Sequence, residues 1–162
     1  MYDHIMVAVD GSDTSNLALE EAINLAKDQH SSLRLIHVVD LTLAYTAVEA
    51  PYVVEYQNAS RAAGQKVIAD CSTTIREARI KFDMPLIVVE LLGQHIHDAI
   101  EEEAKQWPAD LIVIGTHGRR GFRRLLLGSI AEGVTRIASK PCCWFAGHKK
   151  TQIGKWSMRV SW

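Results

Sequence analysis

Four short apolar runs, each halted by turn residues, alternate with segments of helical periodicity, and this alternation governs what the chain can become. HIMVAVD (4–10) is β-branched and stopped by Gly-Ser-Asp; LRLIHVVD (33–40), PLIVVELL (85–92) and DLIVIG (110–115) repeat the pattern. Runs of this kind read as strands buried on both faces. Between them Leu19, Ala22, Ile23 and Ala26 recur at helical spacing, with Ser12 or Asp13 placed to cap the start. Ile68, Cys71, Ile75, Ala78 and Phe82 stripe a long amphipathic helix over about 58–82, in which Gly64 costs about 1 kcal/mol relative to Ala. Ile96, Ala99, Ile100, Ala104 and Trp107 stripe the next, closed by Pro108. Ser129 opens a last helix carrying Ile130, Val134 and Ile137, ended by Pro141. Residues 41–57, with Pro51 and no clean period, are expected as a loop with helical pieces.

Alternating elements with near-continuous apolar strands give an α/β fold: a doubly wound, open parallel sheet with helices on both faces. Ligands of such folds sit beyond the carboxyl ends of the strands, where the strand order reverses. A chain of 162 residues makes one such domain. Its net charge of -1 gives no overall field for nucleic acid or an anionic membrane, so anion binding has to be local. No apolar run approaches the ~18 residues of a membrane span. The N-terminus, with Asp3 and only a short apolar run, is no signal peptide, and a cytoplasmic location is expected. Cys71, Cys142 and Cys143 form neither a disulfide framework nor C-x-x-C, so they are read as small buried residues.

The segment GTHGRRGFRRLLLGS (115–129) leaves the fourth strand and enters a helix. Its glycines follow G-x-x-G, nine residues, then G-S. A helix N-terminus carries N–H groups without intrahelical partners and the positive end of the helix dipole, which suits a phosphate. Gly115 and Gly118 are read as places where the backbone passes close to a phosphate chain, and Gly128 as another where the loop returns. Arg119, Arg120, Arg123 and Arg124 flank the loop. One of them is expected to pair with phosphate through two parallel N–H bonds, and at least two to form a solvated face. With only Phe122 among them, a nucleic-acid surface is disfavoured. The spacing is neither a P-loop nor a dinucleotide motif, since no Lys-Ser or Lys-Thr follows and the first strand ends in DGSD.

Several residues carry a second, structural reading. Ser129-x-x-Glu132 matches a capping box. Asp10, a carboxylate at a strand end, can cap the first helix. His37 reads as a satisfied core or rim histidine. His95 and His97, two apart at a helix start, are expected to face different directions and to bind no metal. His117 either meets phosphate or fixes the turn. Glu101, Glu102 and Glu103 are expected as a solvated helix face.

MVAVDGS, HVVD, DLIVIGTHGRRG and LLLGSIAEGV together resemble the universal stress protein family, over roughly residues 1–141. The resemblance implies strand order 3-2-1-4-5 and, through G-x-x-G-x(9)-G-[ST], the ATP-binding subclass. It places Ala8, Val9 and Asp10 beside adenine and ribose, and the Val38 backbone at the adenine edge. It places Ile114 and Gly115 at the turn from ribose to phosphate, and Gly118, Gly128, Ser129 and Ile130 on the phosphates, with His117 and Arg119 in the same loop. The ligand it implies is ATP, or AMP or ADP in its place, with or without Mg2+. The expected function is an adenine-nucleotide-binding stress-response regulator, hydrolysing ATP slowly at most, and the expected assembly a homodimer. The alternatives are an adenylate-forming or adenylate-cleaving enzyme, whose S-G-G-x-D-S loop DGSDTS does not match, and a partner-binding protein with a vestigial site.

The resemblance stops after Pro141. A fifth strand, of a kind that often pairs with its counterpart in a dimer, gives way to CCWFAGHKKTQIGKWSMRVSW. Three of the four tryptophans fall in the last 19 residues, and no acid follows Glu132. Residues 142–146 are expected as a short strand completing a domain of 1–146, and 147–162 as a divergent tail.

Overall fold

The computed structural model describes residues 1–46, 48–90, 93–116, 128–145 and 159–161; for Leu43 and for 159–161 it describes the backbone alone. The strands are β1 (His4–Ala8), β2 (Ser32–Asp40), β3 (Phe82–Asp83), β4 (Leu86–Val89), β5 (Leu111–Gly115), β6 (Cys142–Phe145) and β7 (Arg159–Ser161). The helices are α1 (Asp13–Gln29), α2 (Thr42–Thr46), α3 (Val53–Glu77), α4 (Ile96–Gln106) and α5 (Ser129–Ile137), with one 3-10 turn at Ala50–Tyr52. The sheet runs β3-β2-β1-β5-β6-β7, with β4 also paired to β2. Every pairing but the last is parallel; β7 runs antiparallel to β6.

The expected order 3-2-1-4-5 is present, with the third strand in two pieces. Met84 and Pro85 separate β3 from β4, both of which lie on β2. A proline has no N–H to give the ladder, so the strand is interrupted there. Period-two alternation then builds two cores. From β1, Ile5 and Val7 face α1 and α3, while Met6 and Ala8 face α4 and α5. Ile5, Met6 and Val7 are fully buried, and each such side chain contributes about 1.5–3 kcal/mol.

Helix ends follow local chemistry. Ser12 caps α1 by accepting the Ser15 N–H at 3.2 Å. His30 ends it in the left-handed region at φ 58, with its N–H on the Ala26 and Lys27 carbonyls. α3 begins at Val53, not near 58, and ends at Glu77, before Arg79 turns left-handed at φ 57. Its first turns are largely exposed, so no apolar stripe announces them. Gly64 is buried against the sheet: a Cβ there would lie 2.5 Å from Val39 Cγ2 and 3.0 Å from His37 and Leu86. The apparent weak point of the helix is where α3 approaches β2 and β4.

The Glu101–Glu103 face is not wholly solvated. Glu101 is 4% exposed and accepts from the Ser139 N–H at 3.0 Å and Lys105 Nζ at 3.1 Å. Glu103 pairs with Arg34, leaving Glu102 exposed. α4 packs its inner face on α5, so a triplet of acids wraps from core to surface.

Candidate functional site

Because β1, β2 and β5 run parallel, their carboxyl ends open on one end of the sheet. There the Val9 N–H donates to the Ile36 carbonyl at 2.9 Å, and the chain leaves β1 at Asp10. Asp10 Oδ1 accepts the Ser12 N–H at 3.0 Å, and the Asp10 N–H meets Ser15 Oγ at 3.4 Å. Gly11 sits at φ 80, a conformation glycine adopts without a Cβ clash. The carboxylate is thereby held at the sheet edge with α1 starting beside it. His37, buried and 8% exposed, donates from Nδ1 to the Val9 carbonyl at 2.7 Å. It is a satisfied core histidine, and it fixes the peptide just before Asp10. Val38, partly buried, lies beside Ile87.

The end of β5 is built by Thr116, which is 2% exposed. Its N–H and Oγ1 donate to the Phe145 carbonyl at 2.9 and 3.1 Å, and its carbonyl accepts the Gly128 N–H at 2.7 Å. The stems of the glycine-arginine loop are therefore fastened together at Thr116 and Gly128. The sequence names neither Thr116 nor Ser15 as site residues; each lies inside a motif, but only the fold shows what its hydroxyl does.

The capping-box reading of Ser129 needs correction. Ser129 forms no capping box. Gly128 is the cap, extended at φ -63 and ψ 154 and with no side-chain hydrogen bond, and Ser129 is the first helical residue. The Glu132 N–H is the first to reach back, to the Gly128 carbonyl at 2.8 Å. The N–H groups of Ser129, Ile130 and Ala131 thus precede the intrahelical ladder. Gly115 has a packing role as well. A Cβ there would lie 2.9 Å from Ser15 N and from Thr14 C, so the glycine lets β5 approach the first turn of α1.

His95 and His97 do not diverge. Their rings stack with centroids 5.1 Å apart and planes at 12°. His95 is the extended cap residue of α4 (φ -104, ψ 157), which brings its ring alongside that of His97. His97 in turn packs on Gly133 of α5. Among the described residues no group of three His, Cys, Asp or Glu side chains could hold a metal. His117, Gly118 and Arg119 lie outside the described residues, as do Arg120, Arg123 and Arg124. The structure thus brings Ala8, Val9, Asp10, Ile114, Gly115, Gly128, Ser129 and Ile130 to the ends of adjacent elements, with Val38 on the flanking strand.

A groove of about 570 Å3 runs between α1 and α3 and touches this edge only at Asp10 and Gly11. Asp10, Glu20 and Asp70 line it against one ammonium, Lys66, which already pairs with Asp70 at 2.9 Å. Burial, and then the Asp70 and Asp10 carboxylates, push the Cys71 thiol above its ordinary range. Such a groove disfavours an anion. The α5 N-terminus, with unpaired N–H groups and a positive dipole end, favours one.

The family model described as the universal stress protein family matches residues 1–143. Universal stress protein MJ0531 of Methanocaldococcus jannaschii is 34% identical, with 87% of this chain and 80% of that protein covered. Among solved structures, universal stress protein UspA from Lactobacillus plantarum matches with TM-score 0.76 at 26% identity, covering 88% of this chain and 97% of that one. The universal stress protein from Archaeoglobus fulgidus in complex with dAMP matches with TM-score 0.62 at 24% identity, covering 88% and 97%. A universal stress protein in complex with cAMP matches with TM-score 0.65 at 22% identity, covering 92% and 99%. The last two likenesses speak for the fold. Among the described residues no helix is long and apolar enough to cross a membrane.

Proposed function

The chain belongs to the universal stress protein family, and from that premise we propose that it is a cytoplasmic, adenine-nucleotide-binding regulatory protein of the stress response. The observation that carries this is the juxtaposition at one end of the sheet of a fixed carboxylate, Asp10, and a helix start capped only by glycine, Gly128. The nucleoside lies along Val9, Asp10 and Val38, with Asp10 accepting from ribose hydroxyls. The phosphates meet the N–H groups of Ser129 and Ile130 and the loop that runs from Gly115 through His117, Gly118 and Arg119. Two fold relatives hold adenine monophosphates, dAMP and cAMP, which supports a nucleotide of this class; ATP is the proposed ligand because the loop has length to follow a phosphate chain. Mg2+, if carried, travels on the nucleotide's own phosphates. In this reading the protein binds and signals rather than turning ATP over, Asp10 being engaged by the Ser12 N–H and the ribose. A homodimer is the assembly that accompanies this reading.

Calorimetry with adenosine, AMP and ATP tests it. A hydrogen bond to a charged group is worth about 1.5–3 kcal/mol, so each phosphate held should tighten binding roughly tenfold or more. Gly118→Val should remove that gain while leaving adenosine binding as it was. Equal affinities for adenosine and ATP, or an unaffected valine variant, would refute the phosphate site.

A further inference from the structure

The ladder between β1 and β2 ends where a side chain takes the next carbonyl. In that parallel ladder the even-numbered residues of β2 do the bonding: the Ser32 N–H donates to the Asp3 carbonyl at 2.9 Å, and the Ile36 carbonyl accepts the Val9 N–H at 2.9 Å. The next bond in the series would run from the Val38 N–H to the Val9 carbonyl. It is not made, and the register stops at Ala8↔Ile36. The Val9 carbonyl instead accepts from His37 Nδ1 at 2.7 Å. Gly11, at φ 80, then turns the chain toward α1.

Val38 has no bond to make on its other side. There the odd-numbered residues of β2 pair with β4, in step with the Leu41 N–H on the Val89 carbonyl at 2.8 Å, and Val38 sits opposite Ile87 between them. Its N–H and C=O therefore face the place that β1 has left, and among the described residues neither has a hydrogen-bond partner. The imidazole that causes this is held firmly. It is buried, and α3 lies on its ring, since a Cβ on Gly64 would come within 3.0 Å of His37 Cδ2.

An N–H and a C=O on one peptide edge make a donor–acceptor pair. Adenine presents the complement, an amine donor at position 6 beside a ring-nitrogen acceptor. A 6-oxopurine puts an acceptor at position 6, which would face the Val38 carbonyl with the wrong sign. We infer that His37 is a positioning residue for base selection: by occupying the Val9 carbonyl it keeps the Val38 edge open to the base and sets adenine above 6-oxopurines. The inference rests on the nucleoside placement of the proposed function and adds to it a side chain that touches no ligand.

The test measures AMP and IMP binding to the full chain by calorimetry. His37→Leu removes the donor, and His37→Asn puts an amide nitrogen where Nδ1 stood. The parent should bind AMP roughly tenfold or more tighter than IMP, because the mismatch leaves polar groups unpaired. His37→Leu should bring that ratio toward one, and His37→Asn should restore it; a loss of folded protein alone would weaken both ligands and leave the ratio. Amide exchange by NMR reads the same point in the parent without any substitution. The Val38 N–H should exchange faster than those of His37 and Val39, which face β4, and should become protected when AMP saturates. A parent that binds neither nucleotide would refute the nucleotide reading and this inference with it. A parent that binds AMP would overturn the role of His37 alone in any of three ways: a Val38 amide already as protected as its neighbours without ligand, a His37→Leu protein that keeps the parent's ratio, or a ratio lost equally in His37→Asn.

Discussion

Replacing Gly115 by Ala separates packing from ligand binding at the strand end nearest the site. The new methyl would sit 2.9 Å from two backbone atoms of the first α1 turn, Ser15 N and Thr14 C. An ordinary carbon contact is nearer 3.5 Å, so the two elements must part by roughly half an ångström. Neither can yield by rotating a side chain. Overpacking of this kind costs about 1–3 kcal/mol, and for a chain of this size each kcal/mol lowers Tm by about 2–4 °C. Gly93 is the control: it sits at φ 91 with nothing within 4 Å of a Cβ, so alanine there meets only the backbone penalty. Urea melts of both variants without nucleotide give the comparison. A loss for Gly115→Ala of about 1–3 kcal/mol, with an unchanged m-value, is expected. A Gly115→Ala protein within 0.5 kcal/mol of the parent, by the usual scatter of neutral surface changes, would refute the claim that this glycine lets β5 meet α1.

Further expectations concern stability and thiol chemistry. Gly64→Ala gains about 1 kcal/mol of helix propensity yet should be destabilising overall, because its methyl meets Val39 Cγ2 at 2.5 Å; a raised Tm would contradict the close approach. Burial pushes the Cys142 and Cys143 thiols up to about 11. At pH 8 about one in a thousand is then thiolate, so a disulfide reagent should leave both untouched until denaturant is added, and rapid native reaction would contradict their burial. Burial works against ionisation of Asp110, but the Asp3 and His4 N–H groups, each at 2.9 Å, outweigh it and hold the carboxyl below its ordinary value. Because the folded form binds the proton less readily, this stabilisation is present above about pH 4 and disappears as pH falls through the folded value. Asp110→Asn should therefore cost about 1 kcal/mol at pH 7 and progressively less as pH falls below about 4; a difference that stays constant or grows on acidification would contradict it.

The fold was legible because strand and helix periodicities alternate cleanly and the central strands β1 and β5 are apolar on both faces. The turn after β1 and the start of α5 at Ser129 were legible because turn chemistry and helix starts are local. What the sequence hid depends on distant neighbours. The need for glycine at 115 comes from α1, a hundred residues away. The burial of Glu101 comes from Ser139, and the start of α3 at Val53 comes from exposed turns that leave no stripe. Helical spacing separates His95 from His97 only if both are helical; the extended backbone at His95 brings the rings together. The capping pattern at Ser129 fails because the chain arrives extended at Gly128, tied to Thr116, so helical dihedrals begin one residue later than a serine cap requires. The pairing of β7 could not be read at all: three residues, Arg-Val-Ser, carry no alternation long enough to count.

The central claim is that one nucleotide spans from Asp10 to the start of α5. Titrating the 15N-labelled protein with ATP, and separately with AMP, tests this most directly. The account predicts that the amides of Asp10, Val38, Ser129 and Ile130 shift together along one saturating curve, while those lining the α1–α3 groove, such as Lys66 and Asp70, stay still. Saturating shifts confined to that groove, or no saturable shift at Ser129 and Ile130, would contradict it.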